Sequence, residues 1–271
     1  MPAKFSVGRA VMSRENGLYY PGLIKLVEPY ALRALHRAGH KRCLISIAGY
    51  GIDTVKKAME LENSGFHVII DSGIYTLLYS RSAQRPSAED CYKKFSDWLA
   101  IARDIVSHTA RATIVEWDGQ AIVGLEAIKS FRDTLIARIP PERIMFVWHR
   151  DDGIEGLRDI SSRGLYAGIT FQGDKNFTRE AHFNTAKLAA LFLKSAGLRV
   201  HFLGLSALKK LYLLRGLFDS FDSTNWASPF RYGGGNRLMP ILYDLYDNSY
   251  AERVEYAMQC ELLRLKNYLE I

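Results

Sequence analysis

The chain alternates short apolar runs, rich in β-branched and aromatic residues, with longer segments whose apolar residues recur every three or four positions. The first pattern is typical of buried strands and the second of amphipathic helices. Their alternation predicts parallel strands joined by helical crossovers. The predicted strands are Lys4–Ala10, Arg42–Ala48, Phe66–Ile70, Ala112–Trp117, Ile144–Trp148, Leu165–Phe171, Arg199–Leu203 and Leu217–Phe221. Eight strands are the number that a (β/α)8 barrel needs.

The predicted crossovers follow from the helical patterns between these runs. They are Gly22–Ala38, Thr54–Asn63, Ser87–Ser107 with Ser87 as its N-cap, Leu125–Ala137, Ile154–Ser162, Arg179–Ala196 and Ala207–Leu214, and a last helix covers Tyr250–Leu269. We therefore expect a single-domain α/β protein, a TIM-like barrel over residues 4–226 with an extension over 227–271 whose helix packs outside the barrel. Without the first predicted strand, an open doubly wound sheet would also fit.

Composition narrows the class of protein. A chain of 271 residues suits one barrel, and no run reaches the roughly 18 consecutive apolar residues of a membrane helix. The N-terminal segment has no apolar signal core, which predicts a cytoplasmic protein. Cys43, Cys91 and Cys260 are isolated and odd in number, so they indicate buried small side chains rather than a disulfide framework or a zinc site.

The formal net charge is +7 and the sequence pI is about 9.2. Affinity for nucleic acid rests largely on neutralising phosphates, so this charge permits a polyanionic partner. It does not require one, because the basic residues are spread along the chain and no RNA-binding or helix-turn-helix signature is evident.

Titratable residues stand at the ends of four predicted strands, more often than their overall frequency predicts. They are Asp71, Asp118, His149 and Asp222. Parallel barrels place their chemistry at the carboxyl ends of the strands. These four residues are therefore candidates for one shared site.

Each candidate also has a plainer interpretation. Asp71 lies in an Asp-Ser-Gly turn sequence and Asp118 in an Asp-Gly pair. His149 could be a buried polar residue or a cap, and Asp219 and Asp222 could cap the segment that follows. Taken together they favour a site, since two carboxylates on different strands suit a nucleophile and a general acid/base at an anomeric carbon.

These residues, in this order, resemble the motifs of the tRNA-guanine transglycosylase superfamily, most nearly its phage-borne members that insert 7-deazaguanine bases into DNA. The segments that carry the resemblance are Asp71-Ser72-Gly73-Ile74-Tyr75, Asp118, His149, Gly168-Ile169, Leu203-Gly204-Leu205-Ser206 and Phe218-Asp219-Ser220-Phe221-Asp222-Ser223. His149 stands where the tRNA enzymes have glutamine, and Ser223-Thr224-Asn225-Trp226 is closer to the DNA members. The resemblance covers roughly Arg42 to Trp226.

The chain departs from the family pattern in three places. Ile74 replaces a glycine that lines the base pocket, which puts the base preference in question. Only one glycine of the pair near Gly168 is kept. The Cys-rich zinc motif of the tRNA enzymes is absent, which argues against tRNA as the substrate and against a structural metal.

The resemblance implies a mechanism. Asp222 would attack C1′ of a guanine nucleotide, and Asp71 would take the proton from an incoming 7-deazaguanine, such as preQ0 or a derivative. Asp118 would accept hydrogen bonds from the guanine N–H groups, while Tyr75 and Leu203 would enclose the base. The remaining substrate-binding residues implied are His149, Ser72, Gly73, Gly168, Gly204 and Asp219. No cofactor and no metal are expected.

The implied partner is DNA, with the target guanine turned out of the duplex stack. Four arginines are candidates for phosphate contacts: Arg81, Arg85, Arg231 and Arg237. A phage-borne enzyme of this kind would act in the cytoplasm of a bacterial host. The alternatives are the same exchange on RNA or on free deoxynucleosides, a glycosidase, and a nucleic-acid-binding barrel without activity.

Overall fold

The computed structural model describes residues 17–21, 28–74, 87–170, 180–204, 213–214, 216–222, 255–260 and 262–263. Eight parallel strands follow one another in sequence order and close into a barrel, with β1 paired to β8. The strands are β1 Gly17–Pro21, β2 Arg42–Ser46, β3 His67–Asp71, β4 Thr113–Val115, β5 Ile144–His149, β6 Tyr166–Thr170, β7 Arg199–Leu203 and β8 Ser220–Asp222. The predicted TIM-like barrel is confirmed.

Helices surround this barrel and connect its strands. They are α1 Glu28–Arg37, α2 Ile47–Tyr50, α3 Thr54–Asn63, α4 Ala88–His108, α5 Gln120–Ile136, α6 Gly153–Arg163 and α7 Glu180–Ser195, with short 3-10 turns at Gly51–Asp53, Pro141–Arg143 and Arg150–Asp152. Ser87 caps α4 as predicted, because its hydroxyl accepts from the Asp90 N–H while the Asp90 carboxylate accepts from the Ser87 N–H. Helix α5 is interrupted at Gly124, whose φ is 80°.

The first strand is not where the sequence pattern placed it. The strand that pairs with β2 and β8 is Gly17–Pro21, and the predicted strand Lys4–Ala10 lies outside the described residues. The segment Gly-Leu-Tyr-Tyr-Pro is short and bounded by glycine and proline, so its local sequence favours a turn over a strand. It is a strand because both of its neighbours provide hydrogen-bonding edges.

Successive residues of each strand point alternately into the barrel and out to the helices. On β7, Val200 and Phe202 belong to the large apolar cluster under the helices, whereas Leu203 packs in the smaller cluster inside the barrel. The inward cluster consists of Tyr19, Leu44, Ile69, Val115, Met145, Val147 and Tyr166, with Leu203 against it. The barrel interior is thus a packed core. The inward-pointing residues at the carboxyl ends of the strands lie above this core, at the rim of the barrel.

The last described helical segment, residues 255–260, packs on the outside of the barrel against α1. Glu255 is buried and its carboxylate lies 2.6 Å from Arg33 Nε and 2.8 Å from Arg37 Nη1. Ala257, Met258 and Leu262 are fully buried. The prediction of a terminal helix on the barrel surface is confirmed for these residues.

Cys43 and Cys91 are buried and Cys260 is partly exposed, and all three are free thiols. Within the part of the chain that the structure describes, no helix has the length and apolar character needed to cross a bilayer.

Candidate active site

Four candidate residues lie at the carboxyl ends of the strands. Asp71, His149 and Asp222 are the last residues of β3, β5 and β8, and Asp118 lies just beyond β4. The strand register sets Asp71 beside Ser46 and Asp222 beside Tyr19. The barrel therefore brings to one rim residues that are up to 151 positions apart in the sequence.

The carboxyl group of Asp71 has a strongly raised pKa. Burial raises the pKa of its carboxyl group to about 7, and the neighbouring carboxylates of Asp118 and Asp222 contribute to the shift. Asp71 Oδ2 also accepts a hydrogen bond from the Gly73 N–H at 3.1 Å, which favours the charged form and limits the rise. A carboxyl group that titrates near neutrality can both donate and accept a proton at physiological pH.

Gly73 gives the turn after β3 its shape. Its φ is 82°, a region that residues with a Cβ rarely adopt. A Cβ placed on Gly73 would lie 2.5 Å from Ala48 Cβ and 2.8 Å from the Ala48 nitrogen. Only glycine allows the chain to pass this close to Ala48 while keeping its N–H on Asp71.

Asp118 is held between two polar side chains. Ser72 Oγ donates to Asp118 Oδ1 at 3.0 Å, and His149 Nε2 lies 3.6 Å from Asp118 Oδ2, an ion-pairing distance rather than a hydrogen bond. Burial disfavours the charged imidazole of His149, but the carboxylates of Asp118 and Asp152 outweigh it, so that the pKa of His149 is raised.

His149 also has an unpaired ring nitrogen. Its Nε2 is buried and has no hydrogen-bond partner in the described part of the chain. A buried polar nitrogen without a hydrogen bond is costly unless a ligand pairs with it, so Nε2 is suited to contact a ligand.

Asp222 is 7% exposed and lies at the mouth of the barrel. Its Oδ1 accepts from the backbone N–H of Gly204 at 2.7 Å and lies 3.1 Å from Nε2 of His201. Oδ2 takes part in neither contact. The carboxylate is therefore fixed through one oxygen, and the other is the one that can meet a substrate.

Asp219 was predicted to bind substrate, and its position contradicts this. Its Oδ2 accepts from the N–H of Val200, near the start of β7, and its Oδ1 lies 3.2 Å from Lys194 Nζ at the end of α7. The residue is thus at the amino ends of the strands, below the rim. Its carboxylate joins α7 and β7 and does not reach the site.

Gly168 lies within β6, inside the predicted strand Leu165–Phe171. A Cβ there would meet Leu203 Cδ1 at 2.9 Å and Met145 Sδ at 3.1 Å. Gly168 therefore makes room for these two side chains inside the barrel. Leu203 and Gly204 do lie at the rim, as predicted, where Gly204 contacts Asp222.

Several predicted residues cannot be placed. Tyr75, which was expected to stack on the base, and the phosphate-binding candidates Arg81, Arg85, Arg231 and Arg237 lie outside the described residues.

A buried ionic network supports the rim from behind β4 and β5. Arg132 and Glu116 are 0% and 2% exposed, and the guanidinium donates to both carboxylate oxygens at 2.8 and 2.6 Å. Arg132 also donates to Asp159 Oδ2 at 2.8 Å and to the Val147 carbonyl at 3.0 Å, while Glu116 Oε1 accepts from the Val147 N–H. Because every charge has a partner, the network fixes the strand ends that precede Asp118 and His149.

Three polar residues near the site were not among the candidates predicted from the sequence. Gln120 Oε1, at the start of α5, is buried without a hydrogen-bond partner in the described part of the chain. Ser46, the last residue of β2, lies beside Asp71, and its hydroxyl limits the rise in the pKa of that carboxyl group. His201 is fully buried inside the barrel. The signal for His201 was available, since a polar residue that alternates with Val200 and Phe202 must point inward.

The arrangement is suited to covalent chemistry at a sugar carbon. Asp222 offers one oriented oxygen as a nucleophile, and Asp71 titrates near neutrality as an acid or base. Asp118 and His149 offer an acceptor and a donor side by side. Within the described ranges, no cluster of three or more His, Cys, Asp or Glu side chains has the geometry to hold a metal ion.

Comparison with known proteins gives the fold alone. No family model and no curated protein matches the chain. The solved structures that it resembles include a tryptophan synthase alpha subunit from Legionella pneumophila, at 8% identity and a TM-score of 0.57 over 94% of this chain and 93% of that one. Another is the GH26-CBM35 β-(1,4)-mannanase of Podospora anserina, at 12% identity and a TM-score of 0.51 over 90% of this chain and 64% of that one. At such identities the likeness establishes the barrel and leaves the chemistry to the site.

Proposed function

We propose that this chain is an enzyme that exchanges guanine in DNA for a 7-deazaguanine base through a covalent glycosyl-Asp222 intermediate. The observation that carries the proposal is the meeting of three carboxylates at one rim. Asp71, with a pKa of about 7, is electrostatically coupled to Asp118 and Asp222, and Asp222 is held through one oxygen by two donors. A double-displacement reaction at an anomeric carbon requires these two roles, a fixed nucleophilic carboxylate and a separate carboxyl group that acts as acid and base.

In the first half of the reaction, Asp222 Oδ2 attacks C1′ and the bond from C1′ to N9 of guanine breaks. The electron pair of that bond leaves with the base, and protonated Asp71 supplies the proton that neutralises it. The positive charge that develops on the sugar is stabilised by the surrounding carboxylates. Because Asp71 titrates near neutrality, its acid form is available at physiological pH.

In the second half, the incoming base loses its proton to the Asp71 carboxylate and attacks C1′. The bond from C1′ to Asp222 breaks, and its electron pair returns to the carboxylate. The two inversions restore the original configuration at C1′. One residue thus serves as acid and then as base, which is efficient only when its pKa lies near the working pH.

Recognition of guanine is assigned to Asp118 and His149. Guanine presents two neighbouring donors, N1–H and the amino group, which match the two oxygens of Asp118. Nε2 of His149, which has no hydrogen-bond partner in the described part of the chain, would donate to an acceptor on the base. Ser72 holds Asp118 in place from the opposite side at 3.0 Å.

DNA is favoured over RNA by the residues that carry the family resemblance, His149 and the segment after Asp222, and by the absence of a zinc motif. The net charge of +7 is compatible with a phosphate backbone. The target base would have to leave the duplex stack to reach a rim site of this depth.

The test is incorporation of radiolabelled guanine into duplex DNA and tRNA supplied together in equal guanine content. The expected result is label in the DNA with the parent protein and none with the Asp222→Asn variant. Preferential label in the tRNA would overturn the choice of polymer. Absence of label in both, with DNA still bound, would overturn the transglycosylase and leave a non-catalytic binding barrel.

A further inference from the structure

His201 occupies the centre of a hydrogen-bonded chain inside the barrel. Its Nε2 lies 3.1 Å from Asp222 Oδ1 and its Nδ1 lies 2.7 Å from Ser220 Oγ. Ser220 Oγ in turn lies 2.6 Å from the hydroxyl of Tyr166. All four residues are buried, with His201 fully so. Both ring nitrogens are therefore used, and neither contacts solvent.

The partners of His201 determine which nitrogen carries the proton. A carboxylate only accepts hydrogen bonds, so the contact with the Asp222 carboxylate places a proton on Nε2. Nδ1 of the neutral ring then accepts from the Ser220 hydroxyl, and Ser220 accepts from Tyr166. Burial raises the pKa of Tyr166, so its hydroxyl keeps the proton that this chain needs. All the hydrogen bonds then run in one direction, from Tyr166 to Asp222.

This direction has a consequence for Asp222. Two donors, His201 Nε2–H and Gly204 N–H, converge on Oδ1, and hydrogen bonds to an anion are roughly twice as strong as those between neutral groups. They hold the carboxylate in one orientation and prevent it from rotating. The other oxygen, Oδ2, is then held at one place at the mouth of the barrel, as an attack on a sugar carbon requires.

We infer that His201 is a positioning residue that orients Asp222 through its Nε2–H tautomer, with the Ser220 and Tyr166 hydroxyls as donors on the other side of the ring. The inference rests on the proposed role of Asp222 as the nucleophile. It assigns a role to a residue that contacts neither the base nor the sugar in the proposed reaction.

The tautomer can be measured without any substrate. The protein labelled with ¹⁵N-histidine should show, among its seven histidines, one neutral imidazole protonated at Nε2 whose signals vanish in His201→Gln. A ring protonated at Nδ1 would overturn the inference. In Ser220→Ala the ring should keep its proton on Nε2, because Asp222 still accepts from Nε2 and the Tyr166 hydroxyl lies 3.4 Å from Nδ1. A proton that moved to Nδ1 in this variant would contradict the control of the tautomer by Asp222.

The kinetic test compares three variants in guanine exchange on DNA. His201→Phe keeps a ring but removes the donor, and kcat should fall by up to about 100-fold while KM for guanine stays within about twofold. His201→Gln keeps an N–H at a similar reach and should recover much of the loss. A folded His201→Phe protein with parental kcat, or one altered only in KM, would overturn the inference.

His67→Phe is the matched control. His67 is a second barrel histidine, bonded to Tyr19 at 2.7 Å at the opposite end of its strand from Asp71, and burial lowers its pKa to about 4. Its replacement makes the same chemical change away from Asp222, so kcat should remain near the parental value. A parent protein without exchange would overturn the proposed function instead, and the tautomer measurement would still decide the contact between His201 and Asp222.

Discussion

Asp219 and Asp222 are three residues apart in the sequence, yet their carboxylates bind the backbone at opposite ends of β7. Asp219 accepts from the N–H of Val200, near the start of β7, whereas Asp222 accepts from the N–H of Gly204, just past the end of the same strand. A strand advances about 3.3 Å per residue, so this short separation carries the chain from the base of the barrel to its rim. The two carboxylates thus have separate roles, one in the scaffold and one in the site.

Replacing Asp222 by asparagine should abolish guanine exchange while leaving the protein folded. The amide keeps the volume and can still contact its neighbours, but it cannot act as a nucleophile. The matched control is Asp219→Asn, which keeps an acceptor for Val200 and should retain exchange. Labelled-guanine incorporation and circular dichroism measure both effects. Exchange by the folded Asp222→Asn protein would move the nucleophile elsewhere.

The raised pKa of Asp71 makes a prediction for stability. The folded protein binds a proton at this site up to pH about 7, whereas the unfolded chain releases it near pH 4. Between these values the folded state holds more protons, so the contribution of Asp71 to stability falls as pH rises. Asp71→Asn cannot ionise and should escape this loss.

The stability difference between Asp71→Asn and the parent should therefore grow in favour of the variant from pH about 4 to pH about 7 and level off above. Urea unfolding at several pH values measures it. A difference that stays constant across this range would show that Asp71 does not titrate near neutrality. The same variant should lose exchange, because the amide neither donates nor takes the proton.

Alanine substitutions at Gly73 and Gly197 distinguish the cost of backbone strain from the cost of a steric clash. Both have positive φ, 82° and 87°, so an alanine at either position should cost about 1–3 kcal/mol of unfolding free energy. A Cβ at Gly197 meets nothing within 4 Å, whereas one at Gly73 meets Ala48 at 2.5 Å. Gly73→Ala should therefore also displace the turn that bonds Asp71 and reduce exchange, while Gly197→Ala keeps it. Equal exchange in both variants would contradict this account of the turn.

Removing one partner of the buried Arg132–Glu116 ion pair should lower the free energy of unfolding more than removing both charges. Arg132→Met leaves the Glu116 carboxylate buried without its partner, which should cost about 3–5 kcal/mol in chemical denaturation. Adding Glu116→Gln removes that charge and should recover part of the loss. If the double variant is as unstable as the single one, the cost lies in packing rather than in the uncompensated charge.

The order of strands and helices could be read from the sequence because each element carries its own local pattern. Helix α3 has the predicted bounds Thr54–Asn63, and β7 has the predicted bounds Arg199–Leu203. β1 could not be found this way, since Gly17–Pro21 has little intrinsic strand preference and is ordered by the edges of β2 and β8. Pairing of this kind is non-local, and a single segment does not contain it.

Local sequence patterns were enough to identify seven of the eight strands and the residues at their carboxyl ends, among them Asp71, His149 and Asp222. These patterns could not determine which polar side chains meet at the barrel ends, because the contacts join strands that are far apart in the sequence. Barrel closure decided this: it buried His201 against Asp222, moved Asp219 to the base and set the three carboxylates within electrostatic reach. The raised pKa of Asp71 exists only in the closed barrel, since burial and neighbouring charges come from distant parts of the chain.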